Sequence, residues 1–248
     1  MKNQPATTTT PVTTACGTCY LIGVGPGDPS LMTFKAAEVL RHADTVFIPR
    51  SGQERQSLAF RIAQALIPHG ALLEELVIPM STDRYVRDRA YDDHSRRIAA
   101  ILREGRHVAL LTLGDPGSYS SASQIVKFLK ASHPTVAIEI IPGVTSFAAA
   151  AARAGLALAE GNEVLSIVSS YDRPERIEAV LDAADTVVFL KTYMRRNELA
   201  TLLERKGLLA HAVYVSRVGL PGETVIRNIC DVPDEPDYLS MIIVKKNT

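Results

Sequence analysis

CYLIGVGPGDPSLMTFKAAEVLRHA, residues 19–43, sets an apolar run, a glycine- and proline-rich turn and an amphipathic segment one after another. The run is short and ends among glycines, so it reads as a buried strand; beyond it Asp28 and Pro29 supply an N-cap and a first-turn proline for a helix. The same unit then recurs. TVFIP at 45–49 precedes a helical segment over 51–66, and LLEELVIP at 72–79 precedes RDRAYDDHSRRIAAILREG, an amphipathic helix closed by Gly105. HVALLTLG at 107–114 is followed by SSASQIVKFLKAS, and TVAIEIIPG at 135–143 by an alanine-rich helix over 145–153. Five strands alternating with five helices predict a parallel α/β sheet in a first domain, residues 18–157. After Gly155 the texture changes. EVLSIV, DTVVFL, HAVYVSRV, ETVIRNI and YLSMIIVK are strand-like, with helices only near 174–182 and 195–206, which predicts a second, mixed-sheet α/β domain over 158–248.

Composition bounds what such a chain can be. Hydrophobic residues make up 46% and charged residues 22% of 248, ordinary globular usage that excludes collagen-like, coiled-coil and wholly disordered chains. Lys plus Arg equals Asp plus Glu at 27 each, so no global field favours nucleic acid, and none is expected as a partner. Residues 1–17 hold six threonines and two prolines with almost no large apolar side chains; they are expected to be a disordered tail. No run approaches 18 apolar residues and the N-terminus lacks the apolar stretch of a signal peptide, so no membrane contact and a cytoplasmic location are expected. Cys16 and Cys19 have the Cys-x-x-Cys spacing of redox and zinc sites, yet Cys230 and the six histidines add no partner motif. That pair is read as a tail-to-strand junction, with no protein-bound metal.

Three punctuated turns follow strands of the first domain. Gly23-Val24-Gly25-Pro26-Gly27-Asp28 has Asp28 where a dinucleotide fingerprint needs its third glycine, and a carboxylate there would repel a pyrophosphate. The next strand ends in Ile48-Pro49-Arg50, with no acidic residue to hold a ribose, so an ordinary nicotinamide site is not expected. Gly25-Pro26-Gly27 is instead a stiff, side-chain-poor loop that lets a flat ligand approach the backbone, with Asp28 as its cap. Leu113-Gly114-Asp115-Pro116-Gly117-Ser118-Tyr119 sits at the end of a buried strand, where open α/β sheets place ligands. Ile141-Pro142-Gly143-Val144-Thr145-Ser146 again joins strand to helix, with Thr145 or Ser146 as cap, and the alanine run behind it implies close helix packing. Loops on the same strand ends converge on one crevice.

GVGPGDPSLMTFKAAEVLRHADTVFIP, TLGDPGSYS and IIPGVTSFAAAAARAGLALAEGNE, in that order and spacing, resemble the tetrapyrrole (corrin and porphyrin) methyltransferase family. The resemblance runs over about residues 18–246. It implies two α/β domains, a homodimer, and S-adenosylmethionine folded in the cleft between the domains, where the active site lies. LAEGNEVLSIV, DTVVFLK and YVSRVG further imply methyl transfer to C20 of precorrin-2 or of cobalt-factor II in cobalamin biosynthesis. Carried over by motif, cofactor contacts fall at Pro26, Leu113, Gly114, Asp115, Ser118, Thr145, Ser146, Leu190, Lys191, Arg217 and Val218. The loop from Gly25 to Gly27 is implied to face the macrocycle, with Asp28 orienting it. Lys191 stands where many relatives have Met, and Gly117 and Ser118 replace bulkier apolar residues.

Methyl transfer from a sulfonium to an electron-rich carbon is an in-line displacement that needs positioning more than acid or base. The sequence accordingly offers no Ser/His/Asp triad and no HExxH. A flat acceptor with eight carboxylates calls for arginines, of which Arg50, Arg84, Arg195 and Arg217 are candidates and Arg50 the first, because it ends a strand beside the Gly25 loop. A lone arginine at a strand end or helix start is more often a solvated surface charge, which is the competing reading of each. Tyr119 is a candidate for orienting the sulfonium or ring edge, with packing beside the Pro-Gly turn as the other reading. No histidine is nominated as a ligand; all six are read as lying on helix ends or loops. Three alternatives stay open: the same fold acting on another precorrin position, methylation of an RNA or protein, or a ligand-binding module that transfers nothing.

Overall fold

The computed structural model describes residues 16–51, 57–79, 81, 83–169, 173–233 and 237–247, so the expected tail lies outside it up to residue 15. The first sheet is built from β1 (Thr18–Gly23), β2 (Thr45–Ser51), β3 (Leu72–Ile78), β4 (Val108–Thr112) and β5 (Ala137–Ile141), in the order β3-β2-β4-β1-β5. Every pairing in it is parallel. Between the strands run α1 (Phe34–Leu40), α2 (Leu58–Ala63), α3 (Arg84–Arg103) and α4 (Ala122–Ser132). Side chains alternate across the sheet as the pleat requires: Leu21, Phe47 and Leu110 pack under α3 and α4, while Ile22, Val46 and Leu111 pack under α1 and α2. β4 is buried on both faces, which is why VALLT reads as an unbroken apolar run.

The second sheet takes β6 (Leu165–Val168), β7 (Thr186–Leu190), β8 (Ala212–Ser216), β9 (Thr224–Ile226) and β10 (Ser240–Lys245), in the order β6-β7-β10-β8-β9. Only β6 and β7 are parallel, so this sheet is mixed, as its texture predicts. One face is covered by α6 (Pro174–Ala183) and α7 (Arg196–Arg205). The other is covered by α5 (Ser146–Ala154), whose Ala149, Ala150, Ala151 and Ala154 lie against Val188, Val213, Val215 and Ile243. The helix that a boundary at 157 assigns to the first domain therefore packs on the second sheet. Alanine is what permits it, since a helix without bulk on one face approaches strands closely.

Three local readings change. Asp28 caps a one-turn 3₁₀ segment, Pro29–Leu31, accepting the Ser30 amide at 2.8 Å, while α1 begins later under its own cap, Thr33, which accepts the Ala36 amide at 3.1 Å. The helical segment expected from 51 starts at Leu58, because β2 runs through Ser51; the part over 52–56 lies outside the described residues. His94 is neither on a helix end nor in a loop: it is buried within α3, its Nε2 3.0 Å from the Val77 carbonyl oxygen.

Candidate active site

The chain leaves β1 toward β2 on one side of the sheet and leaves the adjacent β4 toward β5 on the other, so the loops after these strands part and open a crevice. Backbone pairing fixes its floor. The Gly25 amide donates to the Gly114 carbonyl at 3.2 Å and the Gly114 amide to the Gly25 carbonyl at 2.8 Å. Asp115 ties in the third loop, accepting the Gly117 amide at 2.8 Å and the Gly143 amide at 3.1 Å. A Cβ at Gly143 would lie 2.2 Å from the Gly114 carbonyl oxygen, so only glycine lets these two loops touch.

The second sheet closes over this floor. The turn at Gly27 and Asp28 meets the turn over 217–220 backbone to backbone, and a Cβ at Gly27 would lie 2.4 Å from the Val218 carbonyl oxygen. Glu223 holds the 217–220 turn by accepting the Gly219 amide at 2.6 Å. That amide, with help from Arg153 beside it, keeps the Glu223 carboxyl below the usual carboxylate range despite partial desolvation. Tyr119 reaches across from the β4 loop and donates its hydroxyl to the Ile167 carbonyl in β6 at 2.9 Å.

Between the two sheets lies a cleft of 680 Å³. It is lined by Pro26, Arg50, Leu113, Gly114, Asp115, Ser118, Tyr119, Thr145, Ser146, Leu190, Lys191, Arg217 and Val218, so the structure gathers these sequence-derived candidates into one place. Gly25, Gly27 and Asp28 are not among the lining residues. Gly25 is spent on the bridge to Gly114, Gly27 on the contact with Val218, and Asp28 on its cap, where the Ser30 amide and then the Ser30 hydroxyl hold its carboxyl below the usual range. In this structure they hold the loop that presents Pro26. Arg84 and Arg195 also lie elsewhere, paired with Asp88 at 3.2 Å and Glu198 at 2.7 Å.

Charge and strain both concentrate here. The cleft is lined by four cations, Arg50, Arg87, Lys191 and Arg217, and one carboxylate, Asp115, whose two oxygens already accept backbone amides; this census is of the described residues. Tyr119, Lys191 and Arg217, at φ of 54°, 57° and 52°, are the non-glycine residues with left-handed backbone among those described, and all three line the cleft. Such strain persists where surrounding structure over-determines it, and it clusters at binding sites. Arg217 is braced by its Nε, which donates to the Pro221 carbonyl at 2.8 Å. Arg87 and Tyr91, one turn apart on α3, also face the cleft and carry no motif; their i, i+4 spacing was the available signal.

No group of three or more His, Cys, Asp or Glu able to hold a metal occurs among the described residues. Cys16 is exposed, whereas Cys19 is buried in the first core, where desolvation pushes its thiol up to about 12. No described helix is long and apolar enough to cross a membrane.

A parallel and a mixed α/β sheet closing over a cation-lined cleft define, among the described residues, a two-sheet α/β protein with its largest described cavity at the strand ends of the first sheet. The model of the tetrapyrrole (corrin/porphyrin) methylases matches residues 18–231, and the chain belongs to that family. It is 33% identical over 230 residues to a probable cobalt-precorrin-2 C(20)-methyltransferase of Methanocaldococcus jannaschii, covering 92% of this chain and 95% of the relative. It is 32% identical to the cobalt-precorrin-2 C(20)-methyltransferase of Salmonella typhimurium, covering 93% and 97%. The uroporphyrin-III C-methyltransferase of Thermus thermophilus, solved with S-adenosyl homocysteine, aligns with a TM-score of 0.65 at 25% identity, over 93% of this chain and 98% of that one.

Proposed function

We propose that this chain is an S-adenosylmethionine-dependent C-methyltransferase that methylates C20 of precorrin-2 or cobalt-factor II in cobalamin biosynthesis. The observation that carries the reading is the cleft itself: four cations against one engaged carboxylate in a chain of zero net charge, at the switch point of a tetrapyrrole-methylase fold. A flat polycarboxylate acceptor is what such a lining recognises.

The residues fit the methyl donor. Beside Gly114 the space is open, since an added Cβ would meet nothing nearer than the Ser146 amide nitrogen and the Val144 carbonyl oxygen at 4.0 Å. α5 opens onto the cleft at Ser146, and the first-turn amides of a helix have no carbonyl partners within it, so they suit a carboxylate or hydroxyls of a bound ligand. Leu113, Ser118, Leu190, Lys191, Arg217 and Val218 complete that pocket in this reading. S-adenosylmethionine supplies the electrophilic methyl. The chain's own part is to hold donor and acceptor in line, to exclude water by closing the second sheet over the first, and to fix the acceptor's carboxylates. Tyr119 acts as a strap across the cleft, its hydroxyl spent on Ile167 and its ring left to contact ligand.

To this we add a homodimer, as the family resemblance implies, and, from composition and charge, a cytoplasmic location with no bound metal or nucleic acid; light scattering at the 26.9 kDa monomer mass would remove the dimer. Incubation with methyl-labelled S-adenosylmethionine and either acceptor tests the activity. One methyl gained per acceptor, in one arm or both, is expected. No gain over a protein-free control in either arm would overturn it.

A further inference from the structure

We infer that Arg87, acting with Arg50, is a carboxylate clamp that fixes the register of the acceptor in the cleft; the inference rests on the proposed function. β2 reaches Arg50 opposite Val77 of β3, and the chain leaves β3 through Ile78, Pro79 and Ser81 to start α3 at Arg84. Arg87, in the first turn of α3, donates from Nη1 to the Ser81 carbonyl at 3.2 Å, which holds its guanidinium beside the same strand end. That bond uses one of five N–H donors. Arg50, Ile78, Pro79, Arg87 and Tyr91 all line the cleft. Arg50 also meets Glu75 at 2.9 Å, a pair that water screens because the Glu75 side chain is 58% exposed.

Position gives the two arginines their distinct task. The second sheet meets the first at the loops after β1, β4 and β5, where Lys191 and Arg217 enter. β3 is three strand spacings from β1, about 14 Å, and β2, which carries Arg50, is two, about 10 Å, so Arg87 and then Arg50 lie on the β3 side of the cleft, away from the β1 loop. A tetrapyrrole ring is nearly symmetric, and rotating it in its plane presents one bridging carbon after another. One anchored carboxylate leaves it free to pivot. Two guanidinium forks, each able to take a planar carboxylate, stop the rotation and select which carbon faces the donor.

Uroporphyrin, a stable tetrapyrrole octacarboxylate, serves as probe. Fluorescence titration of the full chain should show that Arg87→Gln, which retains a donor for Ser81, binds it at least about tenfold more weakly than wild type. Affinity for S-adenosylhomocysteine by calorimetry should stay within about twofold and the melting temperature should not move, with Arg87→Lys in between. In turnover, KM for the acceptor should rise, and the product, located by NMR, should no longer be methylated at a single position. Equal uroporphyrin affinity in wild type and Arg87→Gln, no uroporphyrin binding by wild type, or a parallel loss of S-adenosylhomocysteine affinity would each overturn the clamp. Should Arg87→Gln not fold, the Arg87→Lys comparison is read by the same criteria. Arg87-dependent binding of uroporphyrin without methyl transfer by wild type would leave the clamp standing and remove the proposed function, so the two failures are distinguishable.

Discussion

The two sheets build their halves of the cleft by different means. The first contributes turns made of glycine and proline, Gly25-Pro26-Gly27, Gly114-Asp115-Pro116-Gly117 and Pro142-Gly143, in which left-handed or crowded backbone costs little. The second contributes Lys191 and Arg217, long cations forced into left-handed backbone at the ends of β7 and β8. One half is shaped mainly by glycine and proline backbone, with Tyr119 its strained side chain and Arg50 and Arg87 its cations among the described residues. The other accepts strain at both of its cations, Lys191 and Arg217, a cost that in the proposed function serves ligand binding.

The sharpest way to break this comparison is to put a side chain where the first sheet keeps none. Gly114→Arg fills the open space beside Ser146 at a residue with φ of 68°, and should weaken S-adenosylhomocysteine binding by about 100-fold, roughly 2.7 kcal/mol, by calorimetry. Unchanged affinity in a folded variant would remove that loop from the donor site. Gly143→Ala should cost about 3 kcal/mol of stability, seen as a melting temperature lower by roughly 6–12 °C, because its Cβ would overlap the Gly114 carbonyl.

The opposite sign is expected across the cleft. Lys191→Gly relieves a left-handed backbone worth about 1–2 kcal/mol, offset by the added freedom of glycine in the unfolded chain, so stability should rise by roughly 0.5–1 kcal/mol while methyl transfer falls. A destabilised but fully active Lys191→Gly would contradict the division of roles. The smallest effect concerns acid. Glu223 has a carboxyl held below its unfolded value, so its contribution is complete above the unfolded pKa and is lost as pH falls through the folded one. Denaturation followed from pH 7 to 3 should show a shallower acid limb in Glu223→Gln than in wild type.

The same contrast explains what can be read in advance. Glycine and proline mark turns in a sequence, so the loops at 25–27, 114–117 and 142–143, the parallel first sheet and the mixed second sheet are legible, while the strand order β3-β2-β4-β1-β5 is not. A lysine in left-handed backbone carries no such mark, and Lys191 and Arg217 enter only through the family resemblance. Arg87 and Tyr91 escape a sequence reading because an amphipathic helix shows which face is apolar without showing that its first turn borders a cleft. Asp28 is misplaced for a related reason: it and Thr33 are both good caps five residues apart, and only the geometry separates a 3₁₀ turn from the helix after it. The alanines of α5 announce close packing, but not which sheet they pack on.

The central claim is that both halves meet around one donor and one acceptor held in a single register. The direct test is to incubate wild type with ¹³C-methyl S-adenosylmethionine and whichever of precorrin-2 or cobalt-factor II it accepts, then locate the label by NMR. One new methyl resonance assigned to C20 is predicted. A methyl at another position, or label spread over several, would contradict the account.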